Sequence, residues 1–143
     1  MINAKSLPWV VNGWTIFAHS LFLDQMEALT RQVEFQKQKD PLGYLKKNTS
    51  KRLAAIVKLT FEMIPQDPVR FGHDQGNTLG EGYEHWSHTK FFQQCRLFYR
   101  YHIPSSVIVY VWINDEDTRR SYESDDDIYR VFRKMLEDGH SFD

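Results

Sequence analysis

Two strand-like runs, CRLFYRY at 95–101 and VIVYVWI at 107–113, are separated only by His102 to Ser106. A link that short, holding Pro104, Ser105 and Ser106, cannot carry a crossover between parallel strands, so the pair must form an antiparallel hairpin. Successive strand residues point to opposite faces. Arg96, Phe98 and Arg100 therefore share one face, and Leu97, Tyr99 and Tyr101 the other. The second strand is apolar throughout and ends at Asn114-Asp115, and strand-end loops are where rigid scaffolds present chemistry. A third strand is expected over about 85–91. Cationic side chains with aromatics among them on a small sheet suit a phosphate-bearing single-stranded polymer.

The N-terminal half reads differently. After the Asn12-Gly13 turn signal, Trp14 to His19 is expected as a short strand, with the residues before it as a lead-in segment. Phe22, Met26, Leu29 and Val33 recur at helical spacing, with Asp24, Gln25, Glu27 and Arg31 pointing elsewhere. Asp40-Pro41 ends that helix. Leu53, Ile56, Val57, Thr60, Phe61 and Ile64 mark a second helix stopped by Pro65, with Asn48, Thr49 or Ser50 as its cap or, alternatively, a start already near Pro41. Residues 65–84 are rich in Gly and Pro and read as loop. Past the hairpin, Ile128, Phe132, Met135 and Leu136 give a last helix that begins near Asp125 to Asp127 and stops at Gly139. The order β-α-α-β-β-β-α describes a single α+β domain over 1–143, with helices packed on a small antiparallel sheet.

Charge and cysteine usage narrow the partners. The formal net charge is −1, so attraction to a polyanion must come from a local patch. Leu45 to Phe61 supplies one: Lys46, Lys47, Lys51, Arg52 and Lys58 without an acid. A solvated helix face is an equal alternative for that run. The single Cys95 excludes an intrachain disulfide framework and suits a reducing cytoplasm. Ser6 to Leu23 lacks charge, but Pro8, Asn12, Gly13, His19 and Ser20 interrupt it, so no membrane span is expected. No secretory signal pattern is expected either. His73, Asp74, His85 and His88 have the residue types of a metal site, but their spacing matches no zinc pattern, so neither metal nor cofactor is expected. Cys95 has no evident base and reads as a small buried hydrophobe.

Motifs along nearly the whole chain carry a resemblance: VNGW at 11–14, KDP at 39–41, Trp86-Ser87 with Lys90-Phe91, RLFYRY at 96–101, WINDE at 112–116, Thr118, Arg120 and Tyr122 at T-x-R-x-Y spacing, and VFRKML at 131–136 before Gly139-His140. Their order and spacing resemble the YhaV-type toxins of the RelE superfamily, the ribonuclease half of bacterial toxin–antitoxin pairs. The resemblance implies a RelE-like fold and metal-free cleavage of messenger RNA that arrests translation. It also implies inhibition by a PrlF-type antitoxin, with which the toxin represses its own operon, so that operator DNA is met only through the antitoxin.

Metal-free cleavage by the ribose 2′-hydroxyl needs a group to take the 2′ proton, one to stabilise the phosphorane and one to protonate the leaving 5′ oxygen. Arg96 and Arg100 are the expected charge stabilisers, because a guanidinium stays protonated and matches two phosphate oxygens. Pairing with carboxylates at the sheet edge is the alternative for both. His88 is the expected proton carrier, since histidine titrates near neutrality. Arginine can stand at that position in the family pattern, so histidine is a departure from it. His85, three positions earlier, falls on the opposite face. Lys90 shares the face of His88 and is placed to contact phosphate, and Tyr122 is expected to stack on a base or orient the scissile phosphate. Asn114, Asp115, Arg120, Lys51 and Arg52 complete the expected substrate contacts, with a simple Asx turn as the alternative at 114–115. Other RelE-like toxins carry a basic residue in the last loop, where this chain has Asp115-Glu116-Asp117. That difference, with the near-neutral charge, keeps open a non-catalytic RNA- or protein-binding module of the same fold. The low charge also favours a ribosome-assisted encounter with messenger RNA.

Overall fold

The computed structural model describes residues 8–71, 73–74, 86–91 and 95–114, with backbone alone for 73–74. The expected last helix, and with it Asp115, Arg120 and Tyr122, lies outside the described residues, as does His85. The chain runs β1 (Trp9–Val11), β2 (Trp14–Ala18), α1 (Ser20–Lys39), α2 (Asn48–Lys58), α3 (Pro68–Phe71), β3 (His73–Asp74), β4 (Trp86–Phe91), β5 (Cys95–His102) and β6 (Val107–Asn114). The strands form one sheet ordered β1-β2-β6-β5-β4-β3. It is the expected α+β arrangement, with one correction. The sheet is mostly antiparallel, but β2 joins β6 in parallel, Thr15 opposite Val107 through Ala18 opposite Tyr110. Those strands are far apart in sequence, so no local turn restricts their direction.

The lead-in segment is itself a strand. Asn12 and Gly13 both take positive φ, 50° and 81°, the geometry of a two-residue hairpin turn whose twist suits the strands on either side. Asn12 Nδ2 also donates to the Pro65 carbonyl at 2.9 Å, which fixes the hairpin to the end of the second helical segment.

α1 begins at His19 rather than letting β2 run into it. The His19 ring Nδ1 accepts the Leu21 amide at 3.0 Å, a side-chain cap on an otherwise orphaned donor. Phe22, Met26, Leu29 and Val33 are buried as their spacing predicts, and the helix stops at Asp40. The cap expected for α2 is not formed. Lys47 holds the cap position without a side-chain bond, and Thr49 instead donates to the Gln36 side chain of α1.

Beyond Lys58 the helix widens into a π-turn at Leu59–Met63 and then tightens into a 3₁₀ turn at Ile64–Gln66. In the wide turn the Ile64 amide bonds the Leu59 carbonyl. The next carbonyl, that of Thr60, would need the amide of Pro65, which has none. Tyr110 fills that gap, its hydroxyl donating to the Thr60 carbonyl at 2.5 Å. Tyr99 repeats the device, donating to the Pro68 carbonyl at 2.7 Å. The core lies between this helical layer and one face of the sheet, built from Ile16, Phe22, Met26, Leu53, Ile56, Leu97, Tyr99, Ile108 and Tyr110 among others. No described helix is long and apolar enough to cross a membrane.

Candidate functional site

β5 keeps its period of two, so the sequence reading of its faces holds. Leu97, Tyr99 and Tyr101 join the core, while Arg96, Phe98 and Arg100 face away from the helices. β6 does not keep it. Phe98 stands opposite Trp112 but Tyr99 stands opposite Tyr110, so Val111 is an extra residue on β6, a β-bulge. The bulge matters for the site. Without it Trp112 and Asn114 would share the core face with Tyr110; with it they stand beside Phe98 and Arg96 on the outer face.

The outer face then forms three cross-strand rows. Lys90, Arg96 and Asn114 make a polar row across β4, β5 and β6. His88, Phe98 and Trp112 make an aromatic row. Trp86, Arg100 and Val109 make the third. Directly opposed residues lie about 5 Å apart and diagonal ones about 7–8 Å. His88 is therefore a diagonal neighbour of both Arg96 and Arg100, while the two arginines are separated by about 13 Å of strand. His88 and Phe98 ring centroids are 5.7 Å apart, and Phe98 stacks on Trp112 at 5.5 Å.

Burial divides these residues by role. Phe98 is fully buried, and Trp86 and Trp112 nearly so. They form a bed beneath the polar groups and are not a platform on which a base can stack. Arg96, Arg100 and His88 are half-buried and Lys90 is exposed. Asn114 is completely buried, and among the described residues neither atom of its side-chain amide has a hydrogen-bond partner. An unpaired buried amide is costly, so Asn114 stands out among the buried polar groups of the sheet. The Asx turn considered for Asn114 is not formed among the described residues.

The sequence reading placed Gln25 away from the core, and the structure corrects this. The Gln25 side-chain amide donates to the Ile113 carbonyl at 2.7 Å and accepts the Ile113 amide at 2.8 Å. It fixes the backbone of the residue just before Asn114. A polar residue three positions after Phe22 and four before Leu29, on the buried stripe of α1, was the available signal. Lys51 and Arg52 are not brought to the outer face. They lie on α2 in the helical layer, where Arg52 lines a cleft of about 190 Å³ with Met26, Leu29, Ile56 and Ile113. Cys95 is buried and forms no disulfide among the described residues, as expected of a small hydrophobe. The backbone register sets His73 opposite His88, and the described residues contain no metal-holding group of three His, Cys, Asp or Glu.

Comparison with known proteins identifies the family. Residues 16–143 match the family of YhaV toxins, described as toxins with endonuclease activity of a toxin–antitoxin system. The chain is 42% identical over 135 residues to the ribonuclease toxin YhaV of Escherichia coli K12, covering 93% of this chain and 88% of that protein. The toxin YhaV of Escherichia coli O157:H7 matches to the same extent. No solved structure matches. With the family match spanning residues 16–143 and the relatives spanning nearly the whole chain, this protein belongs to the YhaV family of endonuclease toxins from toxin–antitoxin systems.

Proposed function

We propose that the outer sheet face cleaves messenger RNA without a metal, using the RNA's own 2′-hydroxyl. The observation that carries this reading is the polar row Lys90–Arg96–Asn114 set diagonally beside His88 over a buried aromatic bed. His88 takes the 2′ proton; the 2′ oxygen attacks phosphorus; the bond from phosphorus to the 5′ oxygen breaks, and that oxygen takes the proton His88 carries. The products are a 2′,3′-cyclic phosphate and a 5′-hydroxyl. Arg96, with Lys90 beside it, meets the growing negative charge on the phosphorane oxygens. A preorganised donor of that kind contributes about 10² to 10³ in rate, and a positioned acid–base about 10² to 10⁴. Asn114 is assigned to positioning the RNA through its place at the end of β6, beside Arg96. Arg100, across the aromatic row, holds a neighbouring phosphate. Tyr122, Arg120 and Asp115 are assigned to orienting the RNA on the strength of the motifs they occupy, and Lys51 and Arg52 to contacts beyond the end of β6.

The ribonuclease name of the Escherichia coli relative supports RNA as the substrate. Membership of a toxin–antitoxin family supports a neutralising partner, which we assign to the PrlF type, acting with the toxin to repress their operon. The net charge of −1 favours cleavage on the translating ribosome, where the RNA is delivered rather than captured.

The test is to map RNA ends. Protein is incubated in EDTA with a defined messenger RNA, with and without translating ribosomes, beside His88→Ala and Arg96→Ala. Cyclic phosphate and 5′-hydroxyl ends that disappear in either variant are the expected result. Intact RNA in every EDTA reaction, with cleavage restored by a divalent cation, would overturn the metal-free mechanism.

A further inference from the structure

The turn between α1 and α2 is built unlike the rest of the surface. Leu42 is 97% exposed, Leu45 67% and Phe35 57%, three large apolar side chains facing water at one end of the helical layer. Cations flank them along the chain. Between Phe35 and Lys47 there are Lys37, Lys39, Lys46 and Lys47 against a single acid, Asp40. Asp40 is engaged locally, accepting the Gly43 amide at 3.1 Å. Lys39 lies over the Phe35 ring at 4.6 Å and Lys37 over the Tyr44 ring at 5.8 Å, so the ammonium groups are held against the apolar surface rather than extended into solvent.

Scattered exposed leucines are ordinary, but three large exposed apolar side chains between Phe35 and Leu45, interspersed with one sign of charge, mark an interaction surface. The mixture also indicates the partner's chemistry. A phosphate backbone gains nothing from Leu42 and Leu45. An amphipathic helix with an apolar stripe and acidic flanks matches both components, the stripe covering the leucines and the acids meeting the lysines. We propose that the α1–α2 turn is a docking surface for an acidic amphipathic helix of the antitoxin. The assignment rests on membership of a toxin–antitoxin family and is independent of the catalytic face, from which the helical layer is separated by the sheet.

The test uses the full chain and, as probe, the protein that restores growth when co-expressed with it, purified separately. Its affinity is measured by calorimetry at low and high salt for the wild type, for Leu42→Ser with Leu45→Ser, and for Lys37→Glu with Lys39→Glu. RNA cleavage by each free toxin is measured in parallel. The serine pair is expected to weaken antitoxin binding at least about tenfold, while cleavage by the free toxin stays within about twofold. The glutamate pair is expected to weaken binding at low salt and to flatten its salt dependence. Unchanged antitoxin affinity in the serine pair overturns the proposal. So does a loss of cleavage by the serine pair with antitoxin affinity intact, which would make the patch an RNA or ribosome contact. If the wild-type chain cleaves no RNA but the antitoxin arms behave as stated, the catalytic reading fails and the docking surface stands.

Discussion

The two faces of the β5–β6 hairpin use the same strands for opposite ends. On the helix side, Tyr99 and Tyr110 are buried, and their hydroxyls satisfy the Pro68 and Thr60 carbonyls that the proline-broken helical segment leaves open. On the outer side, Asn114 is equally buried, yet its amide has no partner among the described residues. If the outer face carries the proposed chemistry, alternate residues of one strand serve stability and chemistry separately, and neighbouring substitutions should have different consequences.

That separation can be broken from either side. The largest effect is expected from His88→Ala, which should lower the cleavage rate about 10² to 10⁴-fold while the melting temperature barely moves, measured on a defined RNA and by calorimetry. One strand over, Leu97→Ala should do the reverse. Emptying a fully buried site should cost about 2–5 kcal/mol in urea unfolding, with activity per folded molecule retained. If Leu97→Ala instead abolished activity in fully folded protein, the two faces would be coupled.

Tyr110→Phe sharpens the comparison further. Removing the hydroxyl leaves the Thr60 carbonyl unsatisfied and should cost about 1–3 kcal/mol. Burial pushes the ionisation of Tyr110 well above that of a free tyrosine, with Tyr99 adding a smaller push. The folded state therefore keeps a proton that the unfolded chain releases. This contribution is fully present below the unfolded value near 10 and is lost as pH rises past it. Urea midpoints followed from about pH 8 to about pH 11 should fall more steeply for wild type than for the phenylalanine variant. The smallest effect is expected from Arg100→Ala, because Arg100 lies across the aromatic row from Arg96 and Asn114. A loss of about tenfold in cleavage is expected, and a loss as large as that of Arg96→Ala would show that both arginines meet the same phosphate.

Much of this could be read from the chain because local rules govern it. β4, β5, β6 and α1 fall within a residue or two of their expected places, whereas α2 gives way to a π-turn after Lys58, short of the expected stop at Pro65. The outward pairing of Arg96 and Arg100 followed from strand alternation alone. What escaped depends on distant partners. An all-apolar β6 gives no alternation to follow, so the bulge at Val111, which carries Trp112 and Asn114 to the outer face, left no trace in the pattern. Gln25 acts on a backbone 88 positions away. The parallel β2–β6 pairing joins the two ends of the described chain. β1 is three residues long, too short for periodicity to register. Asp115, Arg120 and Tyr122 rest on motif alone, because they lie outside the described residues.

Gln25 has one more consequence. β2 accompanies β6 only as far as Tyr110, so the rest of that strand would offer free amides and carbonyls to any passing extended chain. Such an edge invites strands of other molecules to add themselves, the first step of aggregation. Gln25 presents an amide that donates and accepts as a peptide unit does, and it occupies the edge at Ile113. A side chain thus takes the place of a missing strand, and the protein keeps its most apolar strand from becoming a seed for self-association.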